Sequence, residues 1–277
     1  MVRLKSNSRS LRIVVLIVLI LLSCAYLLPV YVMLTTSLKS LAEINQRTYL
    51  ALSTDLQFQN YVDAWNTIAP SLVNSTVISF TVTALSALIG GLGGYYLSRS
   101  RSTATRILFV LVGIALYLPY QVVLIPLVQI MAQTRLALTH WGLILSYLVL
   151  NVPLASVLLG TFFLSVPREL EEAAAMDGAS KLQIFFQVVT PISLPAYASV
   201  AIIIFTQVWN EFLLALTLAT QQTTTVQVKL QEIKGSLVAI YNIQMAAALI
   251  TILVPMAFFL LLGRYFIRGI LAGAMKG

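Results

Sequence analysis

PRELEEAAAMDGASKLQIFFQVVTPISLP, residues 167–195, is the one long segment between two apolar runs that reads as a charged helical hairpin. It carries Arg168, Glu169, Glu171, Glu172, Asp177 and Lys181. Pro167 suits a first-turn position, where a helix has no intrahelical acceptor for the N–H that proline lacks. Glu169, Glu171 and Glu172 follow where the helix dipole and the unpaired amide donors favour acids. Ala173, Ala174 and Ala175 extend the helix at little entropic cost. Gly178 supplies a C-terminal stop and Ser180 an N-cap for a second short helix through about Val189, which Pro191 and Pro195 end. The predicted object is helix, glycine elbow, helix, lying at a membrane surface as a docking knob.

The flanking sequence demands a bilayer. Of 277 residues, 59% are hydrophobic and only 9% charged, with a mean hydropathy of +0.93. That leaves too little polar surface to clothe a soluble domain of this length. The chain is therefore expected to be an all-α, polytopic integral membrane protein with six transmembrane helices and a cytoplasmic helix-Gly-helix coupling loop at about 165–195. The spans are placed at about 11–34, 71–97, 107–131, 141–164, 196–218 and 243–262, each long enough to cross about 30 Å of hydrocarbon. Cys24 after Ser23 resembles a lipoprotein cleavage site, but the apolar run continues through Tyr26, Leu27, Leu28 and Val30, so the first span is read as uncleaved. Residues 39–69 and 220–242 read as polar external segments, the first either a docking surface or an aromatic-anchored connector.

The net charge of +8 does not point to nucleic acid, because the basic residues stand at the ends of apolar runs and not among aromatics. With the N-terminus inside, 12 of the 17 Lys and Arg fall on the cytoplasmic side, the sign that the positive-inside rule requires. A single cysteine, Cys24, and a single histidine, His140, exclude an internal disulfide and a Cys/His metal cluster. His140, beside Trp141, reads as an interfacial residue. Gly90, Gly91, Gly93 and Gly94, with Ala87, put small residues four apart, the spacing that lets helices approach closely in lipid. No lysine follows a glycine anywhere, so there is no phosphate-binding loop.

Prolines interrupt the spans at Pro119, Pro126, Pro153 and Pro255. Such breaks persist where neighbours or a water-lined cavity satisfy the freed carbonyls. Gln121, Asn151, Gln207, Asn210 and Glu211 are the polar groups within spans and the candidates for a solute pathway. Glu211 has two readings: an ionisable group inside the membrane, functional by default, or a residue near the outer interface marked by Trp209.

Glu172-Ala173-Ala174, three residues, Gly178, nine residues, then Val188, Val189, Thr190 and Pro191 resemble the EAA loop of permease subunits of binding-protein-dependent ABC importers. In that family the pattern ends Ile-x-Leu-Pro; here Val188 and Thr190 replace the Ile and Leu. The AAAMDGAS wording, the stretch WNEFLLALT and the tail RYFIRGILAGAMKG are similar to the carbohydrate-importing, maltose-permease-like branch. The likeness runs from about Tyr95 to the end, and it departs at TRLALT, residues 134–139, where the family has a Gly-Leu turn.

The resemblance implies one transmembrane permease domain over 1–277, in a bacterial or archaeal cell (inner) membrane with both termini cytoplasmic. It implies an ATPase dimer, a second homologous permease subunit and an extracytoplasmic solute-binding protein as partners. Catalysis, ATP and Mg would belong to the ATPase, with no cofactor, metal or catalytic residue in this chain. Glu171, Glu172, Ala173, Ala174, Asp177, Gly178, Ala179 and Pro191 would couple to that ATPase, and the cargo would be a sugar or sugar-like solute moved by alternating access. The alternative is an ion- or proton-coupled secondary transporter or channel subunit using Glu211.

Overall fold

A computed structural model of the chain describes residues 8–46, 50–235 and 240–274, among which every regular segment is helical and none is a strand. In chain order these are α1 (Ser8–Ser37), α2 (Leu41–Asn45), α3 (Gln59–Arg99), α4 (Thr103–Ala115), α5 (Gln121–Gln133), α6 (His140–Phe163) and α7 (Arg168–Met176). They continue with α8 (Lys181–Ile192), α9 (Leu194–Asn210), α10 (Leu213–Leu218), α11 (Val226–Lys234) and α12 (Tyr241–Ala274). Among the described residues, four helices are long and apolar enough to cross a membrane: Leu11–Ser37, Gln59–Arg99, His140–Phe163 and Tyr241–Arg264. A fifth candidate is α8 with α9, bent by 80°.

The chain divides into two compact units. The first, Met1–Ile68 with Leu230–Ile250, is tied by polar contacts. The end of α1 leaves carbonyls without intrahelical partners, and Asn60 Nδ2 donates to that of Ser37, its last residue, and to that of Lys39 just beyond, at 2.9 Å each. Asn60 Oδ1 in turn accepts from Asn242 Nδ2 at 2.8 Å. Ser40 and Glu43 form a reciprocal capping box at the start of α2.

The second unit, Ala69–Lys229 with Thr251–Gly277, is built on α6. Leu143, Tyr147, Ala155, Leu159 and Phe163 of α6 are buried against Ile78 and Val82 of α3 and Val200, Ile204 and Val208 of α9. The glycine run makes this possible. A Cβ on Gly90 would meet the Ala155 side chain and lie 3.0 Å from the Ser156 nitrogen; one on Gly94 would overlap the Ser156 carbonyl and lie 2.9 Å from the Gly160 nitrogen. Bare backbone on α3 thus lies directly on bare backbone of α6, the close approach that substitutes for hydrophobic driving force in lipid.

Several expected boundaries move. The span placed at 71–97 lies in a helix that begins twelve residues earlier, at Gln59, and Asn60, Ala64, Ile68 and Leu72 recur every four residues as a buried stripe along it, on either side of Pro70. At 41 residues α3 is about 60 Å long, roughly twice the hydrocarbon thickness. The span placed at 107–131 is two shorter helices, α4 and α5, parted at Leu116–Tyr120 where Pro119 lies; Pro126 sits inside a continuous α5. The span placed at 196–218 is α9 and α10, parted at Glu211, whose ψ of 131° is extended.

The second arm of the hairpin does not stop at Val189. It widens into a π turn over Ile184–Val189 and runs past Pro191 to Ile192. Pro191 brings no N–H, and the ladder changes register in the widened turn just before it. The segment read as an external loop at 220–242 contains α11, because Val226, Val228 and Ile233 are buried. In TRLALT, Arg135 and Leu138 take φ of 60° and 65°, so a non-glycine chain makes a turn in the left-handed region that favours glycine.

Candidate functional site

Two places gather the predicted residues, and the first is the hairpin. Gly178 has φ +86°, and the Ala179 N–H closes the elbow onto the Ala174 carbonyl at 3.0 Å. Ser180 caps α8 through a reciprocal pair with Gln183. Glu172, Ala173, Asp177, Gly178 and Pro191 are exposed, whereas Ala174 and Ala179 pack against the core. Glu171 turns inward, where Tyr95 Oη donates to its Oε2 at 2.6 Å and Arg99 pairs with its Oε1. The outer face is apolar for a charged loop: Met176 is 85% exposed, Leu182 62% and Phe186 48%.

The second place is a cavity of about 950 Å³ walled by the α4–α5 break, α6 and α9, and all five polar span residues line it. Asn151 is buried, its amide spent on the Tyr147 carbonyl at 2.8 Å. Asn210 donates to the Thr206 carbonyl at 2.9 Å. The side-chain amides of Gln121 and Gln207 make no hydrogen bond among the described residues, which leaves them as the free donors and acceptors of the wall. Gln207 and Asn210 also border a second, smaller hollow of about 490 Å³ on α9.

Glu211 is different in kind. Its Oε1 accepts from Tyr120 Oη at 3.0 Å and the Leu214 N–H at 2.8 Å; its Oε2 accepts from Tyr147 Oη at 2.8 Å and the Ala215 N–H at 3.2 Å. The carboxylate serves the first orphan amides of α10 and pins the α9–α10 break to α6 and to the α4–α5 break. Both oxygens are engaged, each accepting one tyrosine hydroxyl and one backbone amide. His140, read as interfacial, bonds through Nε2 to Asn74 Oδ1 at 3.0 Å, while Asn74 Nδ2 holds the Gln222 and Thr224 carbonyls.

Sequence reasoning missed Tyr95, Arg99, Tyr120 and Tyr147. Neither the arginine nor the tyrosines stand in a local motif. Their partners lie 64 to 91 residues away, so no local pattern announces them.

The profile of the family described as "Binding-protein-dependent transport system inner membrane component" matches residues 86–272. The glucose import system permease protein GlcU of Saccharolobus solfataricus is 34% identical over 94% of both chains. The melibiose/raffinose/stachyose import permease protein MelC of Bacillus subtilis is 32% identical over 98% of this chain and 99% of its own. A chain from the crystal structure of a bacterial ABC transporter that imports the acidic polysaccharide alginate shares the fold, with a TM-score of 0.84, 21% identity, and coverage of 96% of this chain and all of that one.

Proposed function

The chain belongs to the family of binding-protein-dependent transport system inner membrane components, and from that premise we propose that it forms one half of a solute pathway driven through the hairpin by a cytoplasmic ATPase. As a permease subunit of a carbohydrate ABC importer it is a transport component, not a catalytic one. In this reading the chain is a single permease domain of six spans, α4 and α5 together making the third, with both termini cytoplasmic. A second permease chain supplies the other half, an ATPase dimer the energy, and an extracytoplasmic binding protein the cargo. ATP and Mg stay on the ATPase.

The observation that carries the proposal is the exposed outer face of the hairpin. Met176, Leu182 and Phe186 are large apolar side chains at a loop tip beside exposed Glu172 and Asp177. Apolar groups presented at a polar boundary fit a protein cleft better than water, and the acids add charge complementarity. Ala173 keeps the face small enough for close seating. Closing the nucleotide-bound ATPase pair would draw on this knob and rock the spans, exchanging the side on which the cavity opens. Within the cavity, Gln121 and Gln207 offer neutral donors and acceptors of the type that sugar hydroxyls require, and Asn151 and Asn210, whose amides bond to their own helices, line the wall beside them.

The test is co-expression with a second permease chain, an ATPase and a solute-binding protein of the same importer class, followed by reconstitution in proteoliposomes. Uptake of a sugar should need ATP and the binding protein and should stop with vanadate. Met176→Asp should release the ATPase from the purified complex while leaving the membrane chain folded. Uptake that follows an ion gradient without ATP would overturn the reading.

A further inference from the structure

The adjacent glutamates of the hairpin face opposite ways. Glu172 is exposed, while the Glu171 side chain is 13% exposed and divided between two residues at the end of α3. Tyr95 Oη donates to Oε2 at 2.6 Å, and Arg99 pairs with Oε1 and also donates to the Val166 carbonyl at 3.0 Å. Tyr95 reaches further, its ring packing edge-on against Phe163 of α6 at 6.0 Å and tilted against Phe185 of α8 at 5.2 Å between centroids. One side chain therefore grips both arms: its hydroxyl holds α7 and its ring holds α8. No residue of α7 is fully buried, so apolar packing alone gives this nine-residue helix a weak seat. A charge-assisted pair at the protein boundary is the stronger fixing. One residue before Tyr95, Gly94 rests on Ser156 and Gly160 of α6, the helix that carries Tyr147 and Asn151 to the cavity.

We propose that Glu171, Arg99 and Tyr95 form an internal tether, positioning residues that join the hairpin to α3 so that a displacement of its outer face is delivered to α3 and α6 instead of being lost as rocking of the hairpin. This rests on reading the hairpin as the ATPase-docking element. It divides the labour of the two acids: Glu172 meets the partner, and Glu171 transmits. A route through packed groups becomes a coupling claim only when its members are energetically linked, so the test is a double-mutant cycle with two readouts.

The first readout uses the full chain alone in nanodiscs, where hydrogen–deuterium exchange of residues 168–176 is followed in Glu171→Gln, Tyr95→Phe and the double variant. Each single change should speed exchange about tenfold, the scale of one charge-assisted hydrogen bond, and the double variant should add little more. Exchange equal to wild type, or additive effects, would refute the tether whether or not the chain docks an ATPase. The second readout uses the reconstituted importer. Glu171→Gln should leave ATPase co-purification intact and lower the solute moved per ATP hydrolysed severalfold, whereas Glu172→Gln should weaken co-purification. Loss of co-purification in Glu171→Gln would make it a docking contact and sink the proposal. An unchanged transport ratio would do the same, and Glu171→Asp should recover part of the ratio. Failure of any ATPase to bind wild type would count against the docking reading on which the proposed role in transmission rests, while the exchange result would still decide whether the tether exists.

Discussion

Adding one methyl group at Gly94 should push α3 off α6, and the structure sets the size of the effect. The new Cβ would overlap the Ser156 carbonyl, with the Gly160 nitrogen at 2.9 Å and its Cα at 3.2 Å. All three are backbone atoms and none can rotate away, so the helices must part by about 1 Å to restore ordinary contact near 3.5–4.0 Å. A gap of that order forfeits a quarter to a half of each dispersion well along the seam, and overpacking of this type costs about 1–3 kcal/mol. Helix propensity works the other way, since alanine gains about 1 kcal/mol over glycine in a helix interior. Gly113 in α4 isolates that second effect, because nothing lies within 4 Å of its Cβ position. Gly94→Ala and Gly113→Ala should therefore differ in unfolding free energy by about 1–3 kcal/mol, with Gly113→Ala at or above wild type. Gly93→Ala should fall between them, its Cβ meeting only the rotatable Ser156 hydroxyl at 3.2 Å. Unfolding in mixed micelles with increasing SDS, read by tryptophan fluorescence, supplies the order. If Gly94→Ala and Gly113→Ala unfold together, the seam is not close packing of bare backbone and the account of α3 against α6 fails.

The elbow should respond to backbone conformation and not to bulk: Gly178 has φ +86° and open space around it. Gly178→Val should lose coupling, the left-handed region costing an ordinary residue about 1–2 kcal/mol, while Gly178→Asn should retain most of it; equal losses in transport per ATP would mean that the partner's fit, not φ, decides. Glu211→Leu would strand the buried Tyr147 hydroxyl and the Leu214 and Ala215 amides, at about 1–3 kcal/mol for each unsatisfied group. It should lower thermal stability far more than Glu211→Gln, which keeps one acceptor.

The apolar runs, the scarcity of charge and the hairpin punctuation were readable in the sequence because each is local. A helix dipole attracts Glu169 within one turn, Gly178 reaches φ +86° at little cost, and Ser180 finds Gln183 three residues on. The five polar span residues could be picked out individually, because a polar group in hydrocarbon is conspicuous wherever it stands. That they line one cavity depended on helices brought together over long separations. Glu171 and Glu172 look alike in the chain, and only the arrival of Tyr95 and Arg99 from 76 and 72 positions away makes one an anchor and leaves the other free. The early start of α3 and the break at Glu211 likewise depend on contacts made in the folded chain. A stripe at four-residue spacing is buried on either side of Pro70, while the Glu211 carboxylate, satisfied by Tyr120 and Tyr147, made a break stable that propensity alone would not have placed.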